Sequence, residues 1–224
     1  MSNKINKLIA YLSDVKEWET PKVALEQYPT EADTAARMMW CIDKEYDEVN
    51  NYDVADLGCG PGMLSIAAAA LGAASVDAFE LDEDTLDLLE SNINDFELED
   101  VITMHHCDIT SDEFVLSVPD ESYDLVLLNP PFGTKSNKGI DVTFLEQALR
   151  IVKPGGAVYM LFKSSTAEFM KEKARSILKG MGSSPQEKDV RCIMRFTWKL
   201  DATMSFHKKD TKDIYVDLLR VYKR

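Results

Sequence analysis

The most specific chemical signal in the sequence is Asn129-Pro130-Pro131-Phe132, which follows an apolar run. Two prolines restrict the backbone and would fix two acceptors, the Asn129 side-chain oxygen and the Pro130 carbonyl. Two acceptors can take both N–H bonds of one amino group, which directs the nitrogen lone pair toward a methyl donor. Phe132 offers a face for a planar base or amide. The pattern predicts methyl transfer to nitrogen without a strong general base, whereas the alternative interpretation is a rigid loop cap.

A second signal is the glycine loop Asp56-Leu57-Gly58-Cys59-Gly60-Pro61-Gly62, which closes one strand and opens a helix. Glycine permits a tight turn and lets the backbone approach a ligand closely. Dinucleotide sites use G-x-G-x-x-G with the pyrophosphate at the helix N-terminus, but here the spacing is G-x-G-x-G and Met63 follows. These departures, together with the acidic Asp56 before the loop, disfavour NAD and FAD. The loop resembles the motif of S-adenosylmethionine-dependent methyltransferases, although an ordinary strand-to-helix turn can also contain such glycines.

Acidic residues end the next two predicted strands. Glu80 can accept the hydroxyls of a ribose with its two oxygens, and its place 22 residues after Gly58 supports that role. Asp82 competes for the same role but is more typical of a helix N-cap. Asp108 could accept from an adenine amino group, with Ile109 against the ring. Together these residues form the ordered set that a nucleoside cofactor needs.

The elements that must position these residues alternate between strands and helices, which predicts a parallel sheet with helices on both faces. A short N-terminal helical extension over residues 1–29 is expected to precede a single domain over residues 30–224. Helices are predicted over Ala32–Tyr46, Met63–Leu71, Asp82–Phe96, Val142–Ile151 and Ala167–Leu178. Strands are predicted over Val54–Leu57, Ser75–Phe79, Val101–His106, Tyr123–Leu128, Ala157–Phe162, Val190–Lys199 and Asp213–Val221, with a turn at Pro154-Gly155-Gly156.

Charge is distributed unevenly along the 224 residues. The net charge of −14 at first argues against nucleic acid, since phosphate binders usually carry basic excess. Residues 45–134 contain 22 acidic residues and no Lys or Arg, whereas residues 160–224 carry a net charge of +7. An acidic half would favour a cationic sulfonium, and the basic C-terminal quarter is where RNA would bind.

No metal site or membrane span is expected from the sequence. The four cysteines are scattered without a C-x-x-C pair, which is consistent with reduced thiols in an intracellular compartment. The neighbours His105, His106 and Cys107 would point to opposite faces of a strand, so packing or surface roles are favoured over metal binding. No signal peptide is expected, because Met1–Lys7 is polar and no hydrophobic region follows it. The uncharged stretch Leu57–Val76 contains four glycines and Pro61, which favours a buried strand, loop and helix over a membrane span.

Together, the glycine loop, the acids that end the next two strands and the Asn-Pro-Pro-Phe motif resemble those of class I methyltransferases that act on exocyclic or amide nitrogens. Further motifs, Leu25–Thr30, Gly133-Thr134-Lys135, Asn137-Lys138-Gly139 and Phe206–Lys209, make it similar to the methyltransferase-like protein five family of small-subunit ribosomal RNA adenine-N6 methyltransferases. The resemblance implies a Rossmann-like, seven-stranded, mostly parallel sheet and the cofactor S-adenosyl-L-methionine. The cofactor-binding residues expected from the motifs and the resemblance are Gln27, Thr30, Asp56, Gly58, Gly60, Pro61, Met63, Glu80, Asp108, Ile109 and Asn129. Pro61 and Glu80 stand where some relatives have cysteine and aspartate.

The resemblance also implies partners. A small zinc-binding activator subunit is expected to form a heterodimer through residues 101–106, because this strand should lie at a sheet edge with unpaired backbone groups. Alternatively, the negative charges of Glu97, Glu99 and Asp100 protect this edge from pairing with another strand. The substrate would be 18S ribosomal RNA in the nucleus, nucleolus and cytoplasm, with the adenine in a loop or flipped out. RNA contacts are expected from Lys135, Lys138, Lys163, His207, Lys208, Lys209 and Lys212.

Two other functions remain open. A glutamine-N5 protein methyltransferase of the release-factor type shares the Asn-Pro-Pro motif, but there the aromatic residue is typically Tyr. Phe132 and the segment Gln27–Thr30 favour adenine. A non-catalytic methyltransferase-like binding subunit is disfavoured because Gly58, Glu80 and Asn129 are all intact.

Overall fold

The computed structural model describes residues 2–133, 137–200 and 212–224. Within these ranges, strands alternate with helices from residue 53 to the end of the fifth strand. The helices are α1 Ser2–Leu12, α2 Ala32–Tyr46, α3 Met63–Ala70, α4 Glu83–Asp95, α5 Asp112–Ser117, α6 Ile140–Ile151 and α7 Ala167–Gly180. The strands are β1 Asp53–Leu57, β2 Ser75–Glu80, β3 Ile102–His106, β4 Tyr123–Leu128, β5 Val152–Lys163, β6 Val190–Leu200 and β7 Lys212–Tyr222.

The seven strands form one sheet in the order β3-β2-β1-β4-β5-β7-β6. Strands β1 to β5 run parallel, and β7 is antiparallel to both β5 and β6. The predicted α/β class, a Rossmann-like and mostly parallel sheet of seven strands, is therefore confirmed. The strand order also places β3 at one edge of the sheet, as expected from the sequence.

Apolar side chains cover both faces of the sheet because parallel strands alternate their side chains between two helical layers. On one face, Leu12 of α1 packs in the same core as Met39 of α2 and Ile66 of α3. On the other face, Leu149 of α6 packs with Met170 of α7. All five side chains are fully buried, and each stabilises the fold by roughly 1.5–3 kcal/mol. The division of the chain at residue 29 stays a prediction, although α1 joins this common core.

The fifth strand departs from the sequence prediction. Pro154-Gly155-Gly156 does not form a turn before the strand but lies inside β5, where the register with β4 shifts. Gly155 N donates to Lys223 O at 2.7 Å, and Lys223 N donates to Gly156 O at 3.0 Å. A Cβ on Gly156 would lie 2.5 Å from Asp124 O, so glycine is required by close backbone approach. The strand therefore begins five residues earlier than predicted because a bulge accommodates the turn-forming residues.

The uncharged stretch Leu57–Val76 forms the end of β1, the glycine loop, α3 and the start of β2. Within the described ranges, no helix is both long and apolar enough to cross a membrane. His105 does not face a cluster of metal ligands: its Nε2 lies 2.6 Å from Asp77 Oδ1, and its ring stacks on Phe79. In the part of the chain that the structure describes, no group of three His, Cys, Asp or Glu side chains could hold a metal.

Candidate active site

A cavity of about 270 Å³ lies beyond the carboxyl ends of β1 to β4, where open α/β sheets bind ligands. Strand register explains how distant residues meet there. Leu57 pairs with Phe79 of β2 on one side and with Leu128 of β4 on the other, so Gly58 lies between Glu80 and Asn129. The cavity is lined by every predicted cofactor residue, namely Gln27, Thr30, Asp56, Gly58, Gly60, Pro61, Met63, Glu80, Asp108, Ile109 and Asn129. Their contacts to a cofactor stay a prediction.

Backbone N–H groups of the glycine loop point into the protein. Gly58 N and Cys59 N both donate to Phe79 O, at 2.9 and 3.0 Å. Gly60 N donates to Glu80 Oε2 at 2.9 Å, and Gly62 N donates to Cys59 O at 3.0 Å. A phosphate site needs such donors turned toward the ligand. The loop therefore does not present these four groups to a pyrophosphate, which agrees with the choice of a cofactor without one.

The loop glycines also make room for protein side chains. Their φ angles are +70°, +55° and +92° at Gly58, Gly60 and Gly62, a region that disfavours other residues. A Cβ on Gly60 would lie 2.9 Å from the Trp18 ring, and one on Gly58 would lie 3.0 Å from Phe144. The expectation that glycine mainly admits a ligand is thus incomplete, because two of these glycines admit aromatic side chains of the cavity wall.

Glu80 anchors the loop as well as lining the cavity. Its Oε2 accepts from Gly60 N, and its Oε1 accepts from Leu81 N and Asp82 N at 3.0 and 2.9 Å. Burial raises the pKa of Glu80, and these backbone hydrogen bonds act against that rise. A carboxylate offers about four acceptor positions, so Oε2 retains capacity for a ribose hydroxyl. The predicted bidentate ribose contact would therefore rest mainly on this one oxygen.

Asp56 is the most deeply buried acid of the cavity, with 1% of its surface exposed. Burial raises the pKa of Asp56 to about 7, although Ser65 Oγ donates to its Oδ2 at 2.6 Å and lowers it. A nearby cation would favour the ionised carboxylate. Asp56 is thus placed to respond to a positively charged ligand.

Asp108 follows β3 and forms a local turn. Its Oδ1 accepts from both the backbone N and the Oγ1 of Thr110, at 2.9 and 2.7 Å. Ile109, which is buried, lines the same cavity. This geometry holds the Asp108 carboxylate at the cavity wall, as the predicted adenine contact requires.

The cavity has two walls. One comes from the segment before α2, and we call its residues Trp18, Glu26, Gln27, Tyr28 and Thr30 the N-terminal wall. We call Asp56, Gly58, Gly60, Glu80, Asp108 and Asn129 the strand-end wall. Sequence reasoning missed Trp18, whose Nε1 donates to Thr85 Oγ1 at 2.8 Å. A large aromatic residue in the polar segment Asp14–Pro21 was the available signal. Phe144, which lies within the predicted helix Val142–Ile151, was also missed as a lining residue.

Asp82 holds the N-terminal wall in place through hydrogen bonds. It is the N-cap residue of α4, as expected, but its side chain accepts no backbone N–H of the helix. Instead it accepts from Lys22 Nζ at 2.5 Å, from Gln27 Nε2 at 2.7 Å and from Thr85 Oγ1 at 2.9 Å. Gln27 Oε1 accepts from Lys22 N, so both ends of the Gln27 amide bond within the protein. Gln27 therefore shapes the cavity wall through Asp82.

The predicted catalytic motif follows β4 and borders the cavity. Asn129 Nδ2 donates to Thr30 Oγ1 at 2.7 Å, and Asn129 and Pro131 line the cavity while Pro130 is buried. The Phe132 ring packs 5.8 Å from the Trp198 ring, with an interplanar angle of 33°. The motif thus brings an amide and an aromatic face to the same edge of the sheet.

The predicted RNA-binding residues are only partly placed. Lys163 Nζ lies 5.6 Å from the centre of the Phe132 ring, so the structure brings these two residues together. Lys138 is exposed just before α6. Four predicted residues, Lys135, His207, Lys208 and Lys209, lie outside the described residues, as does the side chain of Lys212.

The charge of the cavity fits a cation. Acidic residues Glu26, Asp56, Glu80 and Asp108 lie in its wall, and among the described residues no Lys, Arg or His lines it. Buried Asp56 and Glu80, together with the inward-facing loop amides, match a sulfonium nucleoside better than a phosphate-bearing one.

Comparisons with known proteins agree with this chemistry. The family model described as the methyltransferase small domain matches residues 30–179. The chain is 39% identical over 217 residues to a Danio rerio protein named rRNA N(6)-adenosine-methyltransferase METTL5, covering 97% of this chain and 98% of that one. It is 40% identical to the Drosophila melanogaster protein of the same description, covering 97% and 95% of the two chains.

The fold is also similar to a crystal structure from Pyrococcus horikoshii of a protein proposed to be an RNA methyltransferase. The TM-score is 0.76 at 28% sequence identity, over 99% of this chain and 98% of that one. The regions of this chain that align with these proteins include the residues of both cavity walls. The chain therefore belongs to the METTL5 family and is a methyltransferase that uses S-adenosylmethionine as its methyl donor.

Proposed function

We propose that this enzyme methylates N6 of an adenosine in small-subunit (18S) ribosomal RNA. One observation carries the proposal: the Asn129 amide stands beside Gly58, at the edge of the cavity that fits the cofactor. Relatives covered over nearly their full length are named rRNA N(6)-adenosine-methyltransferases, which supports the substrate.

The residues of this chain would act by position and polarisation. Asn129 Oδ1 and the Pro130 carbonyl would accept the two N–H bonds of the adenine amino group, so its lone pair faces the cavity. Phe132 would stack on the base. When bound, S-adenosylmethionine supplies the electrophilic methyl group. The lone pair of the held amine would form the nitrogen–carbon bond as the carbon–sulfur bond breaks. The cationic amine would then lose its proton to water, so no strong base would be required.

Basic residues near the motif would hold the RNA backbone. Lys163 is adjacent to Phe132, and exposed Lys138 lies nine residues after Asn129 in the chain. Lys135, His207, Lys208 and Lys209 complete the proposed contacts. Because phosphate contacts release counterions, each lost lysine should flatten the salt dependence of RNA binding.

We also propose a small zinc-binding activator subunit that adds to the edge strand β3. Edge strands carry backbone groups that a partner strand can pair, and β3 has β2 on one side only. The exposed apolar Leu116 lies on α5, the helix after β3, and the exposed Leu81 follows β2, with its carbonyl oxygen 3.0 Å from His106 Nε2 of β3. The proposed compartments are the nucleus, nucleolus and cytoplasm.

A glutamine-N5 protein methyltransferase remains the second candidate because the Asn-Pro-Pro geometry would also hold a primary amide. The Asn129–Thr30 hydrogen bond is compatible with either acceptor, whereas Phe132 favours adenine. Identification of the methylated product separates the two functions.

To test this function, the purified protein is incubated with methyl-labelled cofactor and with ribosomes that lack the modification. The reaction is run with the protein alone and with a small zinc-binding activator subunit added. Digestion to nucleosides should place the label in N6-methyladenosine of the small-subunit RNA. The Asn129→Ala variant is the matched control and should give no label. Label in protein, or label in RNA independent of Asn129, would refute the proposed function.

A further inference from the structure

We propose that Thr30 is a positioning residue that sets the orientation of the Asn129 amide, and thereby the rate of methyl transfer. The inference rests on the proposed function of Asn129. It starts from one contact: Asn129 Nδ2 donates to Thr30 Oγ1 at 2.7 Å, across 99 residues of sequence. Thr30 thus acts through Asn129 and differs in role from a residue whose main contact is the cofactor.

Orientation matters because the two ends of a carboxamide have similar shape and opposite hydrogen-bonding character. With Nδ2 bonded to Thr30, Oδ1 points away from Thr30 and is available to accept an N–H bond from the substrate amine. A rotated amide would present N–H donors to that amine and would lose the polarisation of its lone pair. A threonine hydroxyl can donate as well as accept, so Thr30 holds the plane of the amide, and the N–H bonds of the incoming amine favour the arrangement with Oδ1 toward them.

The position of Thr30 is itself fixed by the core. Thr30 is 8% exposed and immediately precedes Glu31, whose carbonyl accepts from Ala35 N at 2.9 Å in the first turn of α2. Ala35 and Ala36 of that turn are fully buried. Because a packed helix holds the hydroxyl and little water reaches it, the hydrogen bond is pre-organised rather than formed on substrate binding.

The arrangement also explains why the catalytic motif needs the N-terminal segment. Asn129 ends a strand and is half-buried, so the strand alone leaves its terminal amide torsion free to adopt two orientations. A hydroxyl supplied by the segment before α2 restricts that torsion to the plane in which one end of the amide bonds to Thr30. The N-terminal wall thereby contributes to the chemical step as well as to cofactor enclosure.

The test compares Thr30→Val, which removes the hydroxyl at nearly constant shape, with Thr30→Ser, which keeps it. Single-turnover methyl transfer and cofactor affinity by calorimetry are measured for both with the full chain and its substrate RNA. Thr30→Val should slow methyl transfer about tenfold, the effect of losing one well-made hydrogen bond. Cofactor Kd should change less than about twofold, and Thr30→Ser should recover most of the rate.

Thr34→Val is the matched control, since Thr34 is a buried threonine one turn further along α2 and does not line the cavity. Its methyl-transfer rate should equal that of the wild type. The inference is wrong if Thr30→Val retains the wild-type rate, if its whole loss appears in cofactor Kd, or if Thr30→Ser fails to recover the rate. Asn129→Ala in the same assay separates the two hypotheses: an active Asn129→Ala enzyme refutes the proposed function itself.

Discussion

The two walls of the cavity are built in different ways. The strand-end wall follows from topology, because parallel strands bring Gly58, Glu80 and Asn129 to one edge through their register. The N-terminal wall follows from isolated side-chain bonds across long sequence separations, such as Trp18–Thr85 and Thr30–Asn129. One wall places the groups that do chemistry, and the other encloses and orients them. A binding site can therefore be half determined by fold and half by individual contacts.

The largest effect on cofactor affinity should come where the two walls touch, at Gly60. Replacement by Ala places a Cβ 2.9 Å from the Trp18 ring at a φ of +55°, so left-handed strain and overpacking together cost about 3 kcal/mol. Cofactor Kd, measured by calorimetry, should rise roughly a hundredfold. If the packing of Trp18 against Gly60 does not affect cofactor binding, the rise in cofactor Kd will be small.

The double variant Trp18→Ala/Gly60→Ala sharpens that test. Removal of the indole relieves the steric part, so the double variant should bind the cofactor better than Gly60→Ala alone. Gly180→Ala provides the control, because a Cβ on Gly180 meets nothing within 4 Å. Equal affinity of the single and double variants would mean that Trp18 does not press on the loop.

The pKa values of Asp82, which holds the N-terminal wall, and of Asp56 in the strand-end wall are shifted in opposite directions. Burial acts to raise the pKa of Asp82, but hydrogen bonds from Lys22, Gln27 and Thr85 outweigh it and lower the pKa. At the strand-end wall, burial raises the pKa of Asp56 to about 7. Since the folded state of Asp56 holds its proton to higher pH than the unfolded chain, its contribution to stability falls as pH rises from about 4 to 7.

Asp56→Asn should remove the pH dependence that Asp56 contributes to the free energy of unfolding. Relative to the variant, the cofactor-free wild type should lose roughly 2 to 3 kcal/mol of unfolding free energy between pH 5 and pH 8. Urea denaturation at the two pH values measures the difference. A constant difference between wild type and Asp56→Asn would show that Asp56 is ionised throughout this range.

The smallest effect is expected at the outer end of the N-terminal wall. Lys22 pairs with Asp82 and Asp84, but its side chain is 42% exposed, and solvent screens such pairs. Lys22→Ala should change cofactor Kd less than about twofold, comparable to Lys44→Ala, which removes an exposed lysine paired with buried Asp43. A tenfold loss by Lys22→Ala alone would mean that this ion pair, rather than Trp18 and Gln27, holds the wall.

Much of the fold was predictable because local patterns agreed with topology. β4 Tyr123–Leu128 and α2 Ala32–Tyr46 have the bounds that periodicity predicts. β5 began early because Pro-Gly-Gly, usually a turn, is absorbed as a bulge held by Lys223. The short helix α5 was not predicted, although Ser111 Oγ accepts from Phe114 N as its cap.

Within the site, the predicted residues of the strand-end wall could be found because each follows a strand. Trp18 could not be assigned, since its role depends on Gly60 and Thr85, which lie 42 and 67 residues away in sequence. The Thr30–Asn129 bond was missed for the same reason. Contacts of this kind depend on packing geometry, which no local pattern encodes.

The central claim, that the strand-end wall performs the chemistry, is tested most directly by Asn129→Ala. Single-turnover methyl transfer to ribosomal RNA and cofactor Kd should be measured on the same preparation. The account predicts a rate lowered by about 1,000-fold or more with a Kd within about twofold of wild type, because Asn129 acts on the acceptor amine. A variant that keeps its methyl-transfer rate, or that loses activity only through weaker cofactor binding, would contradict it.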